Sequence, residues 1–357
     1  MKKILPLQSL RAICVLLVML VHFSPYEGAF FQNHFLAGSA VITFLVLSGF
    51  IISMIYQTKI VGVDDLVLFF KKRFLRMYPL HVLFLFIFLI LEFVRLYIEN
   101  NYSFDVNNKA FTINNISSFF SHLLLINIFN NVLTFNAPAW TVSAEFLTSI
   151  FFGITCFFLK KDSIKNYFFV LIIILIFLTF IFFKKNFIQY TLFFGLLSVT
   201  YSFIIGFFCF KIFNQQGSPF TFLSDNRIQL LNLIILTICI YFKILDFILP
   251  FCSGLIIIYL CKIKKNNIFE KFFSNTFLIY TGKISYTLYI SHYFVYWIYT
   301  QIFRHILNFE KLNSFDNSLF IEDSFMLYLS KLILSFITTY LISHFLYNKF
   351  EKKFIKG

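Results

Sequence analysis

Hydrophobic residues run along this chain in long blocks. Ten of them predict membrane-crossing helices, at 5–23, 36–57, 79–98, 140–159, 166–183, 187–210, 228–244, 247–261, 284–303 and 325–347. A helix rises about 1.5 Å per residue, so about 20 apolar residues cover a hydrocarbon core of about 30 Å. The pattern therefore predicts an all-α fold, a polytopic transmembrane helical bundle. Between the second and third blocks, Leu66, Phe69, Phe70, Phe74 and Met77 interleave with Lys71, Lys72, Arg73 and Arg76, as in an amphipathic helix lying on the membrane surface. Asp64 and Asp65 suit its N-terminus, and Pro79 is expected to end or kink it before the third span. The longest polar interruption, 99–135, begins Asn-rich and ends in SFFSHLLLINIF. That apolar part is too short to span and predicts an interfacial or re-entrant helix. The turn at Lys184 and Lys185 and the hairpin around Asp246 are the least regular parts of the pattern.

Composition agrees with the pattern. Hydrophobic residues make up 59% and charged residues 13%, against about 25% charged in an ordinary soluble domain. The net charge of +14 would suggest nucleic acid in a soluble protein. Here most of the 30 Lys and Arg fall on one side of the predicted membrane, including Lys2, Lys3, Lys71, Lys72, Lys160, Lys161, Lys262, Lys264, Lys265, Lys349, Lys352 and Lys353. By the positive-inside rule both termini are cytoplasmic, and no nucleic acid is implied. The six cysteines sit in or at the ends of apolar blocks with no CxxC or CxH pairing, which gives neither a disulfide framework nor a metal site. Met1-Lys2-Lys3 before an apolar run imitates a secretory signal. With no A-x-A site and Arg11 interrupting the run, an uncleaved first span is expected. Neither internal repeats nor an attached soluble domain is expected: residues 1–357 read as one membrane domain.

The chemistry-bearing residues are few. Arg11 and His22 in the first span are eleven positions apart, about 1100° of helix rotation, which puts them on one face roughly 16 Å apart. Ionisable groups inside a membrane usually face a bundle interior or an aqueous cavity. Arg73 and Arg76, at i and i+3, are open to two readings: snorkelling toward lipid headgroups, or a convergent pair of guanidinium groups gripping phosphate. The fourth span opens APAWTVSAEF, with Trp140 at the interface and Glu145 one turn beyond Thr141. Glu145 is either a salt-bridge partner for an inward-facing basic residue or a carboxylate at the depth of His22, able to orient its imidazole. In the second span Gly38, Ser39, Ala40, Ser48 and Gly49 permit close helix packing. Ser48-Gly49 also leaves room for a bound chain. Ser285, Tyr289 and His292 form a polar stripe on the ninth span, with His292 read as a hydrogen-bonding structural residue.

In order along the chain, these motifs resemble the acyltransferase 3 family. Its members are integral membrane proteins that move acyl groups, commonly acetyl from acetyl-CoA, onto extracytoplasmic glycans. Arg11 and His22 match its Arg-x10-His pair, FLVLSGFII its Ser-Gly-Phe segment, and Arg73-Phe-Leu-Arg76 with Tyr78-Pro79 its Arg-x-x-Arg and Tyr-Pro element. Trp140-Thr141-Val142-x-x-Glu145 resembles its Trp-Ser-Leu-x-x-Glu, with Thr for Ser and Val for Leu. ISYTLYISH resembles its Ile-Ser-Tyr-x-Leu-Tyr-Leu-x-His, with Ile for Leu.

The resemblance implies an O-acetyltransferase of the bacterial inner (plasma) membrane. It would take acetyl from cytoplasmic acetyl-CoA to a hydroxyl of an extracytoplasmic or lipid-linked polysaccharide. His22 would be the general base and Glu145 its support, with Arg11 positioning the thioester or the histidine. Arg73 and Arg76, with Ser48 and Gly49, would bind the donor. The pantetheine arm would then have to cross most of the bilayer to reach His22. Two rivals stand beside this: a transporter of a lipid-linked sugar or acyl group, and an acyltransferase acting on a small molecule or lipid. A transporter often shows repeats or broken spans in matching halves, and neither is seen here.

Overall fold

The computed structural model describes residues 4–23, 34–102, 108–130, 132–188, 192–215, 225–242, 245–263, 268–302 and 322–355. Lys2, Lys3, Lys264, Lys265 and His305 lie outside them. The described chain is helical: α1 (Leu5–Phe23), α2 (His34–Tyr56), α3 (Val63–Asn101), α4 (Ile116–Leu123), α5 (Trp140–Phe158), α6 (Asp162–Phe183), α7 (Leu192–Asn214), α8 (Asn226–Phe242), α9 (Leu249–Lys262), α10 (Ile268–Phe273), α11 (Thr276–Lys283), α12 (Ser285–Gln301), α13 (Glu322–Leu346) and α14 (Lys352–Ile355). Among the described residues, seven helices are long and apolar enough to cross a membrane. The other three predicted spans fall on α8, α9 and α12, with 17, 14 and 17 residues. At 14 residues α9 reaches only about 21 Å and does not cover the hydrocarbon core alone.

The helix α2 is the centre of the bundle, with 78% of its apolar window buried, whereas α6 buries only 17% and faces outward. The partners of α2 are α7, α1 and α9, and the largest core cluster lies among these helices. The α2–α7 crossing is close because each helix brings a glycine to it. A Cβ on Gly49 would stand 2.0 Å from the Phe203 carbonyl oxygen, and one on Gly206 would stand 2.1 Å from that of Val46. Gly49 thus faces α7 backbone rather than a donor pocket, which corrects that part of the expected binding set. Its neighbour Ser48 points the other way, into a cavity.

Pro79 does not end a surface helix. The amphipathic segment and the third span are one 39-residue helix, α3, with Pro79 inside it. Proline removes one ladder bond and disfavours helix in the residue before it. Packing outweighs that here: Met77, Leu80 and Phe84 are buried against α5 and α12, and the Tyr286 hydroxyl donates to the Met77 carbonyl in the same turn.

The interruption after α3 folds back onto it. Glu92 accepts from Arg95 Nη1 (2.8 Å), Asn114 Nδ2 (2.6 Å) and the Phe111 backbone N–H (3.1 Å). Further along, His81 Nε2 donates to the His122 carbonyl (2.9 Å), His122 Nε2 bonds Thr134 Oγ1 (2.9 Å), and Asn136 Nδ2 donates to the Ile290 carbonyl (2.9 Å). The expected interfacial helix is α4, with Ile116 and Phe120 on its exposed face. The two irregular turns are tied together, since Asp246 Oδ2 accepts from the backbone N–H of Phe187 (2.5 Å) and Ile188 (3.1 Å). The six cysteines are unpaired, five of them buried.

Candidate functional site

Two cavities lie along one face of α1. The first, about 80 Å³, is walled by Arg11, Arg76, Glu145, Ser48, Tyr286 and Tyr289 among others. The second, about 250 Å³, is walled by His22, Pro138, Trp140, Tyr289 and Tyr293, with Leu133 from the folded-back segment. Arg11 and His22 therefore face the same interior, one in each cavity, as their spacing predicts. Val41 of α2 and Tyr289 of α12 belong to both walls, so the cavities meet at this pair. The Tyr289 hydroxyl is held there, accepting from Thr141 Oγ1 (2.8 Å) and donating to the Pro138 carbonyl (3.2 Å).

Charge in the first cavity is unevenly distributed. Glu145 Oε1 accepts from Arg73 Nη2 (2.7 Å) and from Ser48 Oγ (2.5 Å). Arg73 is buried, with its side chain 8% exposed. The salt-bridge reading of Glu145 is the one the structure forms. The carboxylate does not pair with His22, which lies in the other cavity beyond Tyr289: Glu145 stands at the level of Arg11 and Ser48, not at the depth expected for His22. Arg73 likewise engages Glu145 through Nη2, while Arg76 forms no such pair among the described residues. Among the described residues, Arg11 and Arg76 form no ion pair. A guanidinium desolvated without a partner is costly. Two of them lining one cavity make a site for an anion, phosphate above all, by bidentate hydrogen bonding.

In the second cavity, His22 Nδ1 lies 2.9 Å from the Val18 carbonyl. A carbonyl only accepts, so Nδ1 carries the hydrogen and Nε2 the basic lone pair. The rings of His292 and Tyr293 flank His22 at centroid distances of 4.9 Å and 6.4 Å.

A family model described as an acyltransferase domain, that of the acyltransferase 3 family, matches residues 6–344. The chain belongs to the acyltransferase 3 family. No curated protein and no solved structure matches it. As a member of that family it is a multi-pass membrane acyltransferase, and every residue lining the two cavities falls in the matched region.

Residues beyond the sequence motifs also stand at the candidate site. Glu351 is buried in a one-turn π-helix, Tyr347–Glu351, that continues α13 past the predicted end of the last span. It accepts a hydrogen bond from Thr287, with Arg76 and Arg11 the cations nearest its charge. In sequence it sits among Lys349, Lys352 and Lys353 and reads as part of a solvated tail. Its one local signal is a lone acid in a basic run. Tyr293 has a clearer signal, one position beyond His292 on the helix that carries the polar stripe.

Proposed function

We propose that this acyltransferase moves an acyl group, acetyl in the simplest case, from a coenzyme A thioester to a hydroxyl of an extracytoplasmic or lipid-linked polysaccharide. One observation supports this above the rest: a cavity with two guanidinium groups that form no ion pair among the described residues abuts, across Tyr289, a cavity holding a histidine with a basic Nε2. The two halves supply what the reaction needs, an anion-binding end for the donor and a base for the acceptor. The orientation read from Lys and Arg supports a cytoplasmic basic cavity, and a bacterial inner membrane with acetyl-CoA on that side fits the reading.

In this reading Arg11 and Arg76 hold donor phosphates, and Arg73 serves indirectly by fixing Glu145 beside them. Ser48 donates to the same carboxylate and keeps it turned into the cavity. His22 takes the proton as the acceptor O–H bond breaks. The oxygen then bonds to the thioester carbonyl carbon, the C–S bond breaks, and the departing thiolate collects the proton from the imidazole. Positioned proton transfer of this kind contributes about 10²–10⁴-fold in rate. Trp140, Tyr289, Tyr293 and Pro138 give the second cavity flat apolar faces that suit a sugar ring.

Membranes carrying His22→Ala test the reading. Incorporation of labelled acetyl from acetyl-CoA into glycan should fall about 100-fold or more, with acetyl-CoA binding kept; normal incorporation would remove His22 from the mechanism. A transporter uses the same polar path with no base in it. Glycan that is exported less but keeps its ester content in the same variant would favour that reading.

A further inference from the structure

We propose that His292 completes the base in this site: it sits beside His22 as a second imidazole, orienting that ring and sharing the proton His22 takes up. This rests on the acyl-transfer reading above, and it gives the residue a task that its motif does not reveal. His292 Nδ1 lies 2.6 Å from the Tyr289 carbonyl. By the same acceptor argument as for His22, Nδ1 carries the hydrogen and Nε2 the lone pair. That Nε2 is buried with no hydrogen-bond partner among the described residues, and the residue is 0% exposed. An acceptor left unsatisfied in the interior costs free energy, and a fully buried orphan calls for an explanation.

The ring's surroundings narrow the explanation. Its aromatic neighbours are Phe23 at 6.3 Å, Tyr289 at 5.6 Å and His22 at 4.9 Å, centroid to centroid. Of these, only His22 exchanges a proton near neutrality. An unpartnered lone pair beside it gives the proton somewhere to go. When the acceptor O–H bond breaks, His22 Nε2 binds the proton. His292 Nε2 then shares it as a hydrogen-bond acceptor until the thiolate leaving the thioester collects it, which returns both rings to neutral. No charge is created beyond the one proton in transit.

Tyr289 links this arrangement to the rest of the site. Its hydroxyl stands between the two cavities, and its carbonyl sets the tautomer of His292. A move of α12 that opened the path would therefore also move the second imidazole.

The alternative is that His292 only anchors its own helix turn through Nδ1. Two substitutions separate the cases. Asn can keep a donor to the Tyr289 carbonyl but places nothing where Nε2 stands; Gln reaches toward the Nε2 position with an acceptor that cannot hold a proton. Membranes carrying the full-length parent, H292N, H292Q and H22A are compared for labelled acetyl incorporation from acetyl-CoA into endogenous glycan. KM for acetyl-CoA and thermal stability in detergent are measured alongside. The expectation is a kcat about tenfold or more below parent in H292N and a smaller loss in H292Q, with KM within about twofold for both. Parental kcat in H292N overturns the proposal. If H292N does not fold, H292Q decides alone: lowered kcat at unchanged KM supports a role in proton handling, and parental kcat overturns it. H22A shows which claim has failed. If H22A is inactive while the His292 variants are fully active, only this inference is lost. If H22A is active, the reading of the whole site is lost.

Discussion

Arg73, Glu145 and Ser48 are joined by two short hydrogen bonds, so one carboxylate has two donors while Arg11 and Arg76, in the same cavity, have no ion pair among the described residues. The difference separates a structural arginine from the two proposed to bind the donor. Arg73→Met strands Glu145, and Glu145→Leu strands a buried Arg73. Removing one partner of a fully buried pair costs about 3–5 kcal/mol, and less here because the Glu145 side chain is 27% exposed. Replacing both with apolar side chains is often neutral. Thermal denaturation in detergent should therefore show both single variants well below the parent and the double variant recovering most of the loss; additive losses would contradict the pairing. Arg76→Ala breaks no ion pair among the described residues, leaves Arg11 near Glu351, and should unfold closer to the parental temperature than Arg73→Met. Its acetyl-CoA affinity should fall about tenfold or more, the scale of one charge-assisted contact. Unchanged affinity in a calorimetric titration would return Arg76 to a topological role.

At the scale of elements, hydrophobic blocks located the spans well because length and apolarity are local properties. Relations between blocks are not local. The crossing of α2 and α7 depends on Gly49 meeting Phe203 backbone and Gly206 meeting Val46 backbone, contacts a glycine in a sequence cannot specify. Gly206→Ala should cost at least the 1–3 kcal/mol typical of overpacking, since the opposing atoms are carbonyls that cannot turn aside. A parental melting temperature for that variant would mean the helices can separate freely. Pro79 misleads for a related reason: its local preference is to stop a helix, and packing of Met77 and Leu80 outweighs it. Arg73 with Glu145 and His22 with His292 lie 72 and 270 residues apart, so both pairings were invisible, although each of the four residues stood out in the sequence. The segment folded back on α3 carries its own prediction. Burial pushes His122 down to about 3 from an ordinary 6.5. Its folded ring stays neutral where the opened segment would bind a proton. Because the folded value is depressed, this contribution to stability is fully present above about 6.5 and is lost as pH falls from there toward 3. Hydrogen exchange across 108–136, corrected for intrinsic rates, should show more frequent opening at mildly acidic than at neutral pH. Equal opening would mean His122 contributes nothing to the closure.

For the whole molecule, the two cavities impose a direction on the chemistry. The unpaired guanidinium groups are in one cavity, the basic imidazole is in the other, and Tyr289 stands between them. Under the proposed function, a donor held by its phosphates in the basic cavity reaches His22 past Val41 and Tyr289, which line both cavities, and enters from the cytoplasmic side. Sealed vesicles of known sidedness turn this into a measurement. Labelled acetyl-CoA does not cross a bilayer unaided, so the face exposed to the medium decides whether the protein meets its donor. Inside-out vesicles should incorporate label from acetyl-CoA in the medium. Right-side-out vesicles should incorporate almost none until they are permeabilised, after which the two should agree. Incorporation by sealed right-side-out vesicles alone would mean the donor approaches from the histidine side. In that case Arg11 and Arg76 would not hold its phosphates. Tyr289→Phe refines the same experiment, because it removes the hydrogen bonds to Thr141 and Pro138 while keeping the ring. If those bonds hold the path shut between turnovers, Tyr289→Phe should raise the slow loss of acetyl from acetyl-CoA to water in inside-out vesicles and leave right-side-out vesicles silent. A rise in both would show that Tyr289 maintains the wall of the bundle rather than the partition within it.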